Sequence, residues 1–106
     1  MDRYAYDGDV DALFFEKEEY SYDYSLEITS EIVLDLNVNH NVIGLEVLDA
    51  SKVLGVDTSF LNDSERITAV IVVADNIMCI SFTFILAGVV ERVDFRISSL
   101  YNSTLN

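Results

Sequence analysis

The chain has 106 residues, 51% of them hydrophobic, with nineteen acidic and six Lys or Arg residues and a formal charge of −13. That length fits one domain, or two halves sharing one core. A field of this sign repels phosphate backbones and anionic membrane surfaces, so nucleic acid and membrane are excluded as expected partners and basic proteins or cations are favoured.

In chain order, Tyr4 and Tyr6 open a short strand that Asp7-Gly8-Asp9 turns. Leu13 and Phe15 alternate with Phe14 and Glu16 in the next. After the charged Lys17-Glu18-Glu19, Tyr20, Tyr22, Tyr24, Leu26 and Ile28 alternate with Ser21, Asp23, Ser25 and Glu27. Strict period two over nine residues predicts one strand with a wet face, its three tyrosines on the same side. Ile32, Leu34 and Leu36 continue the pattern, and Asn37 to Asn41 makes a turn, because Asn tolerates positive φ. Val42 to Leu48 returns as the partner strand, and Gly44 within it marks a bulge or a close backbone approach.

Asp49 is the expected N-cap of a short helix from Ala50 to Leu54, its carboxylate bonding a free N–H of the first turn. Gly55 supplies a left-handed stop. Residues 57–65 read as a polar connector whose Phe60 and Leu61 fold back as a lid on the core. Between Arg66 and Glu91 the only strongly polar residues are Asp75 and Asn76. A membrane helix needs about 20 apolar residues, and here a charge falls mid-span. The flanks are β-branched and aromatic, so the segment predicts a hairpin, Ile67 to Val73 and Ile77 to Leu86. The run Val70 to Val73 implies burial on both faces. Val93, Phe95 and Ile97 alternate with charged residues in a last strand, and the polar tail from Ser98 is expected to fray.

The fold class is therefore α+β and β-dominated: about eight short antiparallel strands in meander sheets, with one short helix near residues 50–54. Residues 1–56 form an acidic meander plus helix, with thirteen acids and three bases. Residues 57–106 add the apolar hairpin and final strand to the same core. The apolar load of Ile67 to Leu86 predicts a homodimer. A lone Cys79 precludes an intramolecular disulfide, and Met1 to Tyr4 lacks the features of a signal peptide. Both fit a cytoplasmic protein.

Few residues point to chemistry. Asp7, Asp9 and Asp11, with Glu18 beyond, match positions 1, 3, 5 and 12 of a calcium loop, so they are the candidate metal ligands. Ala12 stands where that loop needs glycine. His40, the only histidine, sits in a polar turn without a neighbouring orienting group. Cys79 has no local cation to lower its pKa and reads as a small core hydrophobe. No glycine-rich phosphate loop or nucleophile elbow is present, no cofactor is expected, and an enzyme ranks last. Tyr20, Tyr22 and Tyr24 are the candidate interaction residues, since tyrosine pairs a large apolar contact with a polar tip.

Tyr6-Asp7, Asp11-Ala12-Leu13-Phe14-Phe15, Glu31-Ile32-Val33-Leu34-Asp35 and Ile43-Gly44-Leu45-Glu46-Val47-Leu48-Asp49-Ala50-Ser51 resemble the family catalogued as domain of unknown function number 2283. The resemblance covers about residues 4–54, and Gly44 to Ser51 is its most specific block. It implies a small β-meander followed by a short helix, in a prokaryotic or archaeal cytoplasmic protein. It also implies an antitoxin-like partner, some members being encoded beside small ribonuclease-type toxins. The chain departs from the family at the Asn37 to Asn41 turn and in its apolar second half. The expected function is a non-catalytic protein-interaction module binding a basic protein. The alternative is a domain that binds a small molecule or a divalent cation.

Overall fold

The computed structural model describes Met1 and residues 3–98. Alternating apolar and polar residues give five strands, β1 (Arg3–Asp7), β2 (Ala12–Glu16), β3 (Tyr24–Glu27), β4 (Ile32–Leu36) and β5 (Val42–Val47). They form one antiparallel sheet in the order β1-β2-β5-β4-β3. Two short helices follow, α1 (Ala50–Leu54) and α2 (Thr58–Asp63). A second antiparallel sheet then runs β6 (Arg66–Ala74), β7 (Ile77–Leu86) and β8 (Val89–Ile97) in sequence order. The fold is the expected β-dominated α+β class, with a second helix added.

The apolar faces of the two sheets meet in one buried cluster. Leu13, Phe15, Ile32, Leu34, Leu45 and Val47 come from the first sheet. Ile67, Ala69, Ile80, Phe82 and Phe84 come from the second. The Phe15 and Phe82 rings lie 5.9 Å apart between centroids. Leu54 and Leu61 bring the two helices into the same cluster. Each such side chain taken from water contributes about 1.5–3 kcal/mol.

The hairpin expected at Asp75-Asn76 is present, with β6 and β7 paired from Arg66↔Ile85 to Ala74↔Ile77. Asp75 (φ 54°) and Asn76 (φ 62°) are both left-handed, as are Ala87 (φ 50°) and Gly88 (φ 74°) at the next turn. Two successive positive-φ residues twist a tight hairpin in the sense its strands require. The last strand therefore starts at Val89, directly after the second turn, and not near Val93. No helix among the described residues is long and apolar enough to cross a membrane.

Several expectations are corrected. The strand expected from Tyr20 to Ile28 is regular only over Tyr24–Glu27. Beyond it the Asp23 N–H still bonds the Leu36 carbonyl (2.9 Å), while Tyr20 and Tyr22 leave the ladder. Residues 57–65 are not a connector but hold α2, because Phe60 and Leu61 can share one buried side of a single helical turn. Leu61 is buried, and the Phe60 ring packs on Phe84 at 5.3 Å. The lid is real, but it is helical.

Val70, Val72 and Val73 are not buried on both faces: they are 56%, 55% and 56% exposed. β6 is an edge strand, and cover on its inner face has ended by Val73. Cys79 is half-buried on the outer face of the second sheet, between Val72 and Arg96, and is not a core residue. The tail expected to fray lies, beyond Ser98, outside the described residues.

Candidate functional site

The register of the first sheet fixes which side chains share its outer face. One row across the strands reads Ala5, Phe14, Glu46, Val33 and Glu27. The next reads Arg3, Glu16, Gly44, Asp35 and Ser25. Arg3 is the one base among them, and it meets Glu16 at 3.3 Å. Both groups of that pair are well exposed, so water and salt screen it heavily.

Gly44 is the hinge of this surface. The register slips between Asp35 and Leu36, where Asp35 faces Gly44 but Leu36 faces Val42. Ile43 is therefore the extra, bulged residue, and the local twist brings Asp35 over the bare glycine. A Cβ at position 44 would stand 3.0 Å from Asp35 Oδ2 and 3.2 Å from Tyr20 Cε2. The missing side chain is what lets the Tyr20 ring lie against the sheet.

Around that contact the hydroxyls form a chain. Tyr20 donates to Asp35 Oδ2 (2.7 Å), and Ser25 donates to Asp35 Oδ1 (2.8 Å). The Ser25 proton is committed to the carboxylate, so Tyr22, 3.0 Å away, donates to Ser25 Oγ. The Tyr20 and Tyr22 rings stack with centroids 6.3 Å apart and planes 17° apart. The bond to Asp35, then burial, then the charges of Asp35 and Glu16 push the Tyr20 phenol up to about 12. It stays protonated at neutral pH, and it acts as a fixed donor with an exposed ring.

The three candidate tyrosines therefore separate. Tyr20 and Tyr22 lie over the outer face, whereas Tyr24 pairs with Leu36 on the inner side of the sheet. Its hydroxyl meets His40 Nδ1 at 2.7 Å. His40 thus has a partner that its sequence neighbourhood does not reveal, held there by its own left-handed backbone at φ 64°.

The three candidate metal ligands also go different ways. Asp7 Oδ1 accepts the N–H of Asp9 (3.0 Å), closing the β1–β2 turn. Asp11 turns to α1: its oxygens accept from the Ser51 N–H (3.1 and 3.2 Å), from Ser51 Oγ (2.6 Å) and from Tyr6 Oη (2.7 Å). Burial pushes the Asp11 carboxyl up, but the bonds from Ser51 and Tyr6, with Lys52 nearby, outweigh it and its pKa falls below the ordinary value. Burial first, and then the bond to Asp11, push Tyr6 up to about 12. Asp7 and Asp9, with Thr58, Ser59 and Asn62, line an open polar cleft of about 610 Å³. Among the described residues, no group of three His, Cys, Asp or Glu is placed to hold a metal ion.

Asp11 also replaces the expected cap. Asp49 occupies the N-cap position, but with φ 48° and ψ 45° and no side-chain cap bond. A capping side chain needs an extended backbone at that position, and the left-handed turn at Asp49 denies it. The Asp11 carbonyl takes the Ala50 N–H (2.9 Å) and its carboxylate the Ser51 N–H. At the other end Gly55 stops the helix at φ 67°, with Val56 N–H to the Ser51 carbonyl and Gly55 N–H to the Lys52 carbonyl.

No curated protein matches the chain, and no solved structure does. A family model described as protein of unknown function (DUF2283) matches residues 3–51. Its limits are structural: Arg3 begins β1, and Ser51 is the residue that Asp11 holds. The match spans the five-stranded sheet and the start of α1, and it leaves out the three-stranded sheet. Over residues 3–51, a little under half of the chain, the sequence is similar to the family of proteins of unknown function DUF2283.

Proposed function

We propose that the protein is a non-catalytic interaction module whose outer five-stranded face receives a basic segment of another protein. One observation carries the reading: the stacked Tyr20–Tyr22 pair lies on a sheet face whose carboxylates, Glu16, Glu27, Asp35 and Glu46, outnumber its one base. Aromatic rings attract an arginine or lysine through the ring face, and the carboxylates give it counter-charges. Phe14 and Val33 provide apolar contact on either side of Glu46. The charge of the whole chain steers a cationic partner toward it. An antitoxin-like partnership is a special case of the same reading.

The test is affinity capture from native extract at low and moderate salt. Wild type should retain a basic protein. Glu16→Lys/Glu46→Lys should lose it, while Asp57→Lys/Asp63→Lys, which changes the charge equally on the helical side, should keep it. Equal loss in both variants would reduce the effect to net charge and sink the proposal.

The cleft lined by Asp7 and Asp9 favours a second reading, a divalent cation or small polar ligand held beside α2. It predicts a rise in melting temperature with calcium, magnesium or a polar metabolite. Flat melting curves across such a screen would remove it.

A further inference from the structure

The two sheets differ in charge as sharply as in shape. Residues 1–65 hold sixteen of the nineteen acids and three bases, the whole formal charge of −13. Residues 66–106 hold three acids and three bases and are neutral. Val70, Val72, Val73, Val89 and Val90, five of the most exposed large apolar residues, all lie on this neutral sheet. Two copies of so acidic a chain repel over most of their surface, and here they do not.

The edges of the sheets differ in the same way. Free edges are ordinarily protected by charge. β1 carries Arg3 and Asp7, β3 carries Glu27, and β8 carries Glu91, Arg92, Asp94 and Arg96. β6 has no charge from Ile67 to Ala74. Its alternation shows which groups are open. Ala69 exchanges backbone bonds with Met1, so its N–H and C=O point away from β7. Along an antiparallel strand every second residue does the same, so Ile71 and Val73 present theirs to the open edge. A groove of about 320 Å³ runs beside them, bordered by Lys17, Val42 and Ala69.

We infer that this edge pairs with the β6 edge of a second copy, antiparallel about a two-fold axis at Val72, joining two three-stranded sheets into one of six strands. In that register Ile71 exchanges backbone bonds with the partner's Val73, and Val73 with the partner's Ile71. Val72 faces the partner's Val72 as a close, non-bonded pair. The ladder ends at Ile71, because Met1 already holds the outward backbone groups of Ala69 and the partner's Asp75 turn must leave the strand line there. One uncharged strand thus supplies both hydrogen bonds and apolar contact. This pairing is independent of the acidic face on the other sheet.

The experiment is sedimentation velocity on the full chain over a range of concentrations, with two kinds of variant. Val73→Pro deletes an N–H that faces the open edge and is not used by the β6–β7 ladder. Wild type should form dimers, and Val73→Pro should weaken them roughly tenfold or more. Because proline can also unfold a strand, a cross-link gives a second, independent reading. Val72→Cys in a Cys79→Ser background should oxidise to a disulfide-linked dimer, and Val90→Cys in the same background should not. A monomeric wild type would overturn the inference. So would cross-linking through position 90 in preference to 72, or a dimer indifferent to a folded Val73→Pro.

Discussion

The Asp11 carboxylate accepts both the backbone N–H and the hydroxyl of Ser51, forty residues further on, and so locks the first turn of α1 to the β1–β2 turn. This lock closes the five-stranded unit and fixes where the helices set out across the core. It also takes Asp11 out of the cluster with Asp7 and Asp9.

Removing the lock should cost more than removing the local cap. Asp11→Ala should lose about 1–3 kcal/mol, the range for a capping residue that also leaves polar partners unpaired. In a domain of this size that lowers the melting temperature by roughly 4–8 °C per kcal/mol. Asp49→Gly, which suits the same left-handed backbone and carries no capping side chain, should lose no more than about 0.5 kcal/mol. Thermal denaturation of the two variants compares them. Equal losses would show that Asp49 caps after all.

The pH dependence of stability has a definite sign at this site. The Asp11 carboxyl sits below its ordinary value of 3.8 when folded, so its contribution is complete above that value. It is lost as pH falls through the lower, folded value. Denaturant titrations between neutral and strongly acidic pH should show the loss in wild type, and a smaller acid slope in Asp11→Asn. Tyr6 and Tyr20 behave oppositely, because both are raised from 10.0 to about 12. Their stabilisation holds below 10 and fades as pH climbs through 12. Ultraviolet titration of wild type should show two phenols ionising near 12, and Asp35→Ala should move only Tyr20 back toward 10.0.

Gly44 is required by the close packing of the outer face over it. Gly44→Ala would put a methyl 3.0 Å from Asp35 Oδ2 and 3.2 Å from Tyr20 Cε2, so one of them must move. The expected loss is about 1–3 kcal/mol, as for other over-packed sites. The Tyr20 titration should shift downward in the same variant. An unchanged titration would mean that the ring does not rest where the structure puts it.

Ala87 sits at φ 50°, a left-handed conformation that costs alanine roughly 1–2 kcal/mol. Ala87→Asn keeps the turn and suits that conformation, so it should raise stability by about 0.5–1 kcal/mol. Chemical denaturation reads this directly, and a destabilised variant would argue against the tight β7–β8 hairpin.

The features legible in the sequence were those set by local pattern. The second-sheet hairpin followed from β-branched alternation around Asp75-Asn76, and the close approach at Gly44 from a glycine inside a strand. Features set by distant partners were not legible. Period two could not distinguish Tyr24 in the ladder from Tyr20 and Tyr22 beyond it, because their alternation persists while their hydroxyls bond Asp35 and Ser25. The capping rule selects Asp49 by position, yet the carboxylate that reaches Ser51 comes from Asp11. Exposure of Val70 to Val73 depends on where the other sheet ends, which no run of apolar residues reveals.

The acidic tyrosine face is tested most directly by amide chemical shifts of the labelled chain, titrated with a short peptide of alternating arginine and apolar residues. Binding on this face should move Phe14, Ser25, Asp35, Gly44 and Glu46 together, and Tyr20→Ala/Tyr22→Ala should weaken the response. Shifts spread evenly over the acidic turns, or confined to Asp7 to Asp11, would contradict the account.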